Sequence, residues 1–112
     1  MLKARNCNIN DNFGALFCEH LEKNKHLRVV DLSNNMMTDA SLKALAIALK
    51  KNQCRLEHLK LASNLFSDKE GVRFSEGLKH NQFIKSVDLT NNNFTDKTAT
   101  NMLAVIMRQA SL

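Results

Sequence analysis

Leu27-Arg28-Val29-Val30-Asp31-Leu32-Ser33-Asn34-Asn35-Met36-Met37-Thr38-Asp39 recurs twice further along the chain. The second copy is Leu56-Glu57-His58-Leu59-Lys60-Leu61-Ala62-Ser63-Asn64-Leu65-Phe66-Ser67-Asp68. The third is Ile84-Lys85-Ser86-Val87-Asp88-Leu89-Thr90-Asn91-Asn92-Asn93-Phe94-Thr95-Asp96. A decayed copy precedes them, Leu2-Lys3-Ala4-Arg5-Asn6-Cys7-Asn8-Ile9-Asn10-Asp11. The closing aspartates, Asp11, Asp39, Asp68 and Asp96, stand 28, 29 and 28 residues apart. Four copies in one register at a nearly constant period define a repeat array.

Each copy carries two local signals. Residues 28–32, 57–61 and 85–89 alternate apolar and polar, which predicts short strands with one buried face. After each aspartate the period changes to that of a helix. Leu42, Leu45, Ala46 and Leu49 fall on one helical face. The same positions are Gly14, Phe17, Cys18 and Leu21 in the first copy, and Gly71, Phe74, Ser75 and Leu78 in the third. In the fourth they are Ala99, Met102, Leu103 and Ile106. Thr38, Ser67 and Thr95 precede an aspartate and are expected to cap their helices. Lys23-Asn24-Lys25, Lys50-Lys51-Asn52, Lys79-His80-Asn81 and Arg108-Gln109 close them, with Asn suited to a left-handed terminator. Neither half of a repeat can bury its apolar face alone, so neighbours must stack. An Asn or Cys recurs where the chain turns off the strand: Cys7, Asn35, Asn64 and Asn92. Buried turns there need hydrogen-bond partners, and these amides are expected to bond the turn of the next repeat, forming a ladder.

The shared pattern, L-x-x-L-x-L-x-x-N/C-x-L, resembles the leucine-rich repeat over essentially the whole chain. The period and long helical half are similar to the ribonuclease-inhibitor subclass. The resemblance implies an α/β right-handed solenoid of about four strand–turn–helix repeats, with a parallel sheet on the concave face and helices on the convex face. The repeats span approximately 1–26, 27–55, 56–83 and 84–112 in one domain. Departures are Ala4 for a leucine, Met37, Phe66 and Phe94 for the leucine after Asn, and Gly71 and Ala99 opposite Leu42. These are expected to loosen packing. The first leucine of copy one is missing, and Gln109-Ala110-Ser111-Leu112 ends without a sealing strand. The expectation is a fragment of a longer solenoid; the alternative is a dimer through the open ends.

Of 112 residues, 16 are Lys or Arg and 11 are Asp or Glu, giving a net charge of +5. Acids gather at helix starts and lysines at helix ends, the arrangement that complements helix dipoles. With neither Tyr nor Trp to stack on bases, nucleic acid is an unfavoured partner. The longest apolar run, Ala44 to Leu49, is too short to span a membrane. Cys7, Cys18 and Cys54 are odd in number and form no C-x-x-C pair, which suggests reduced thiols in the cytoplasm or nucleus. Cys18 is expected in the core and Cys54 in an accessible loop.

His20, His26, His58 and His80 share no repeat position and have no ligand-spaced partner. No nucleophile elbow, phosphate loop or zinc-protease motif is present. The expectation is a non-enzyme without cofactor or metal. Its candidate surface is the set of strand positions facing away from the core: Lys3, Arg5, Val29, Asp31, Ser33, His58, Lys60, Ser86, Asp88 and Thr90. Lys3, Asp31, Lys60 and Asp88 alternate in sign across neighbouring strands, which predicts mutual ion pairs. The resemblance implies an intracellular protein-binding scaffold. The alternatives are a regulatory piece of a GTPase-activating or NOD-like sensor protein, or a spacer within a longer array.

Overall fold

The computed structural model describes residues 1–51 and 53–99. Each alternating segment forms a strand: β1 (Leu2–Lys3), β2 (Val29–Asp31), β3 (His58–Lys60) and β4 (Ser86–Asp88). Strands this short do not persist alone. They pair in chain order as one parallel sheet, β1-β2-β3-β4. Parallel neighbours need a crossover, and helices provide it. These are α1 (Asp11–Leu21), α2 (Asp39–Lys50) and α3 (Asp68–Lys79), followed by helical residues 96–99. The result is a leucine-rich-repeat solenoid, with its core between the strand layer and the helix layer.

Val30, Leu32, Leu59 and Leu61 from the strands meet Leu42, Leu45, Leu49, Phe74 and Leu78 from the helices in one buried cluster. Met37 and Phe66, expected to loosen the packing, are fully buried within it. The larger side chains fill space between successive repeats, while Phe94 is half-buried. Cys54, expected in an accessible loop, is 0% exposed. It precedes β3, and its small thiol belongs to the buried core cluster. Ala99 is exposed. Asn52, Met102, Leu103, Ile106, Arg108 and Gln109–Leu112 lie outside the described residues.

Two hydrogen-bond ladders tie the repeats together, and both run backwards along the chain. The Asn35 carbonyl accepts from the backbone N–H of Cys7 and Ile9, 3.0 Å each. Asn64 accepts from Met37, and Asn92 from Asn64 and Phe66. Each amide therefore serves the turn of the preceding repeat, not the following one. Its NH2 group also donates to the end of its own strand, as Asn64 does to Leu61. Cys7 has no amide, and its exposed thiol donates to Arg5 O at 3.3 Å. The residues just before the ladder positions, Asn6, Asn34, Ser63 and Asn91, take the left-handed backbone conformation. Asn24 and Asn81, expected there, do not. Their side chains accept from the two N–H groups entering the next strand instead. Asn81 also donates to Leu49 O at the end of α2, tying the helix end to the next repeat.

The second ladder uses the period aspartates. Thr38 and Ser67 hold the N-cap position but make no side-chain cap bond. Their hydroxyls donate to Asp11 and Asp39 of the preceding repeat. Thr95 donates likewise to Asp68. A carboxylate is a stronger acceptor than a neutral group, so the hydroxyl proton goes to the aspartate. Thr95 also accepts from Lys97 N–H, so donating to the aspartate does not prevent capping. Ser41 and Thr98 add a further hydroxyl to Asp11 and Asp68, both at 2.6 Å. Glycine makes this approach possible. A Cβ at Gly14 would lie 2.1 Å from Ser41 Oγ, and one at Gly71 would lie 2.4 Å from Thr98 Oγ1.

The Thr95 and Thr98 hydroxyls hold the Asp68 carboxyl down to about 2. Burial pushes the Asp11 carboxyl up, but bonds from Ser41 and Thr38 outweigh it and the net shift is downward. A carboxyl lowered by folding contributes stability above its unfolded value, near 3.8, and loses it as pH falls toward about 2. The urea midpoint is therefore expected to fall steeply between pH 4 and 2. Asp68→Asn should flatten that slope, and an unchanged slope would show that this ladder does not report on folding.

Candidate functional site: the concave strand face

The strand register places Lys3 beside Asp31, Asp31 beside Lys60, and Lys60 beside Asp88. Val29, His58 and Ser86 form a parallel column. Lys3, Arg5, Lys60, Ser86, Asp88 and Thr90 are exposed, Val29 and His58 half-buried. His58 Nδ1 lies 2.7 Å from Ser86 Oγ across the strands.

The expected chain of ion pairs within the first column does not form. Among the described residues, neither Lys3 nor Lys60 has an ion pair within 4 Å. Asp31 is only 6% exposed and turns back on its own chain to accept from Ser33 N–H at 3.1 Å. Asp88 does the same toward Thr90, from both N–H and hydroxyl. This closes an Asx turn at the strand end, which draws the carboxylate away from the neighbouring lysine. The ion pair of Asp31 is instead with Arg5 of the adjacent column, at 3.8 Å. Burial raises the Asp31 carboxyl, yet the Ser33 bonds, with Arg5 and Lys60 nearby, leave it lowered overall. Ser33 is buried with it. Four of the ten candidate residues, Asp31, Ser33, Asp88 and Thr90, thus form turns; Asp31 and Ser33 are buried there, and the other eight reach the open face.

The loops beside the face carry something the period alone did not single out. Met36 and Leu65, equivalent positions in successive repeats, are 54% and 51% exposed. They lie one residue after the ladder Asn, and that apolar–apolar run, Met36-Met37 and Leu65-Phe66, was the available signal. On the opposite edge the charges are largely matched. Lys51 meets Glu22 at 2.9 Å, Arg28 and Lys85 meet Glu57, and Arg55 lies over the Phe83 ring.

Chemistry at the candidate groups is muted. Burial, with Glu22 adding to it, pushes the Cys18 thiol up to about 12, far from a reactive thiolate. Among the described residues, no three His, Cys, Asp or Glu side chains are placed to hold a metal ion. No described helix is long and apolar enough to cross a membrane.

The fold and the ladders define the class: the chain is a leucine-rich-repeat protein. A family profile described as "Leucine Rich repeat" matches residues 23–46 and 80–100. Among individual relatives, the chain is 36% identical over 76 residues to mouse NACHT, LRR and PYD domains-containing protein 14, covering 68% of this chain and 8% of that protein. It is 30% identical over 91 residues to bovine NACHT, LRR and PYD domains-containing protein 9, covering 78% of this chain and 9% of that protein. The chain thus spans less than a tenth of the length of these two relatives. The solved structure of leiomodin-1 actin-binding site 2 superposes with a TM-score of 0.80 at 18% identity, over 98% of this chain and 80% of that one. That likeness concerns the fold alone.

Proposed function

We propose that the chain is a protein-interaction module that engages a partner protein through its concave strand face and adjoining loops, with no catalysis of its own. One observation carries the reading. Lys3, Lys60 and Asp88 stand in register, exposed and without ion pairs among the described residues, beside exposed Met36 and Leu65. Unpaired charge gives a partner something to match, and apolar side chains at its edge give it area to bury. The NACHT, LRR and PYD relatives favour a place within a NOD-like sensor over a GTPase-activating protein. The 28- and 29-residue spacings and the long helical half of each repeat support the ribonuclease-inhibitor-like subclass. Three free thiols, two of them buried, support a cytoplasmic or nuclear setting.

The test is affinity capture from cell lysate with three forms of the chain. Lys60→Glu with Asp88→Arg reverses two exposed concave charges. Lys69→Glu changes an exposed charge on α3 and serves as the control. The expected result is a protein retained by the wild type and by Lys69→Glu, and reduced about tenfold by the double variant, as for loss of matched interfacial charges. Equal capture by all three forms would overturn the concave-face reading and favour a spacer.

A further inference from the structure

Three cations at the edge where the helices hand over to the strands have no counter-charge. The acids of that edge are taken: Glu22 by Lys51, and Glu57 by Arg28 and Lys85. Lys23, Lys25 and Arg55 are exposed and have no ion pair within 4 Å among the described residues. With Gln53 and Phe83 they line one open cavity of about 360 Å³, and none of these five residues is acidic. The cavity lies where the period is broken. The second repeat is 29 residues long against 28 on either side, and its extra residue falls between Asp39 and Leu56. Cys54 is buried there, and exposed Gln53 and Arg55 flank it.

The chain holds these groups in place. The Arg55 guanidinium lies over the Phe83 ring, 4.5 Å from its centroid, which fixes the head without neutralising it. Phe83 N–H in turn donates to Asn81 Oδ1 at 2.8 Å. Lys25 sits in the turn that Asn24 closes by accepting from His26 and Leu27 N–H, and its own carbonyl accepts from Arg28 Nη1 at 2.8 Å. Lys23 follows the end of α1 and complements its dipole. Lys25 and Arg55 stand in loops beyond the helix ends, where the dipole has faded. Like charges gathered at one cavity repel one another, so an anion placed there gains from all three at once.

We propose that this cavity binds a diphosphate group. A guanidinium offers two parallel N–H donors to phosphate oxygens, and lysines supply compact positive charge beside it. A single phosphate carries about two negative charges at neutral pH, which leaves one of the three cations unmet. A second phosphate supplies the remaining charge. The volume is at the small end of ligand pockets and exceeds what one phosphate needs.

The experiment titrates sodium pyrophosphate into the isotope-labelled 112-residue chain at constant ionic strength and follows backbone amide shifts. Saturable shifts centred on residues 23–28, 53–57 and 82–85 are expected. Orthophosphate should bind about tenfold more weakly, as for loss of one charged contact. Methyl diphosphate separates the sources: binding as tight as that of pyrophosphate assigns the site to an organic diphosphate, and weaker binding assigns it to the free ion. Two double variants remove equal charge. Lys25→Gln with Arg55→Gln acts at the cavity; Lys43→Gln with Lys69→Gln acts on α2 and α3. All four positions are exposed, so the folded spectrum should persist in both. The first pair should weaken pyrophosphate binding about a hundredfold, and the second should leave it unchanged. Absence of saturable shifts, shifts spread over the lysines of other faces, equal affinity for orthophosphate, or an equal loss in both variants would overturn the proposal.

Discussion

Phe66→Ala is expected to cost about 3–5 kcal/mol, a large share of the stability of a domain this size. Phe66 is 0% exposed and lies in the cluster that joins the strand and helix layers. Its backbone is held at both ends: the N–H donates to Asn92 and the carbonyl accepts from Asn93 N–H. The surrounding chain therefore cannot close in on the void, which is the condition for a large cavity penalty. Phe66→Leu, which restores the residue common at this point of the repeat, should cost about 1 kcal/mol, since most of the volume is kept. Urea unfolding of the three forms measures both. A loss below about 1 kcal/mol for alanine would mean that the site collapses and that the ring is not wedged between repeats.

The second large effect is expected for Asn64→Ala, about 2 kcal/mol, or roughly 10 °C in Tm. Asn64 donates to Leu32 O, Leu61 O and Ala62 O, and accepts from Met37 N–H. These losses are unequal. Leu32 O keeps its bond from Asn35, Leu61 O from Asn92, and Ala62 O from Asn34 N–H. Met37 N–H is left with no acceptor, and its cost sets the estimate. Asn64→Asp tests the same account from the other side. It keeps the size and the acceptor but turns a carboxylate toward three carbonyl oxygens, so at pH 7 it should be less stable than the alanine variant. An unchanged melting temperature for Asn64→Ala would refute the ladder as a stabilising element.

The period, the strand positions, the parallel register and the inward helix faces of the first three repeats were legible in the residues. Each is set by spacing within one repeat: alternation by two for a strand face, and by three and four for a helix face. The polar positions of the ladder were legible for the same reason, since every copy turns at the same point. Its direction was not. Whether Asn64 serves the repeat before it or after it depends on how the stack leans, which no single repeat encodes.

The same boundary divides the surface. That Asp31 and Lys60 lie on neighbouring strands follows from the repeat. That Asp31 folds back onto Ser33 and meets Arg5, leaving Lys60 unpaired, follows from competition between a local turn and a cross-strand charge. Thr38 and Ser67 look like helix caps in isolation, and only the stack brings an aspartate within reach of their hydroxyls. Glu70 is the extreme case. It is 6% exposed, in a groove lined by Lys43, Ala46, Ile47 and Lys50 of the preceding repeat, far from it along the chain. Sequence by itself determined the repeating unit, because that unit is built from local periodicity. The tertiary structure decided which polar groups are satisfied, because their partners come from neighbouring repeats.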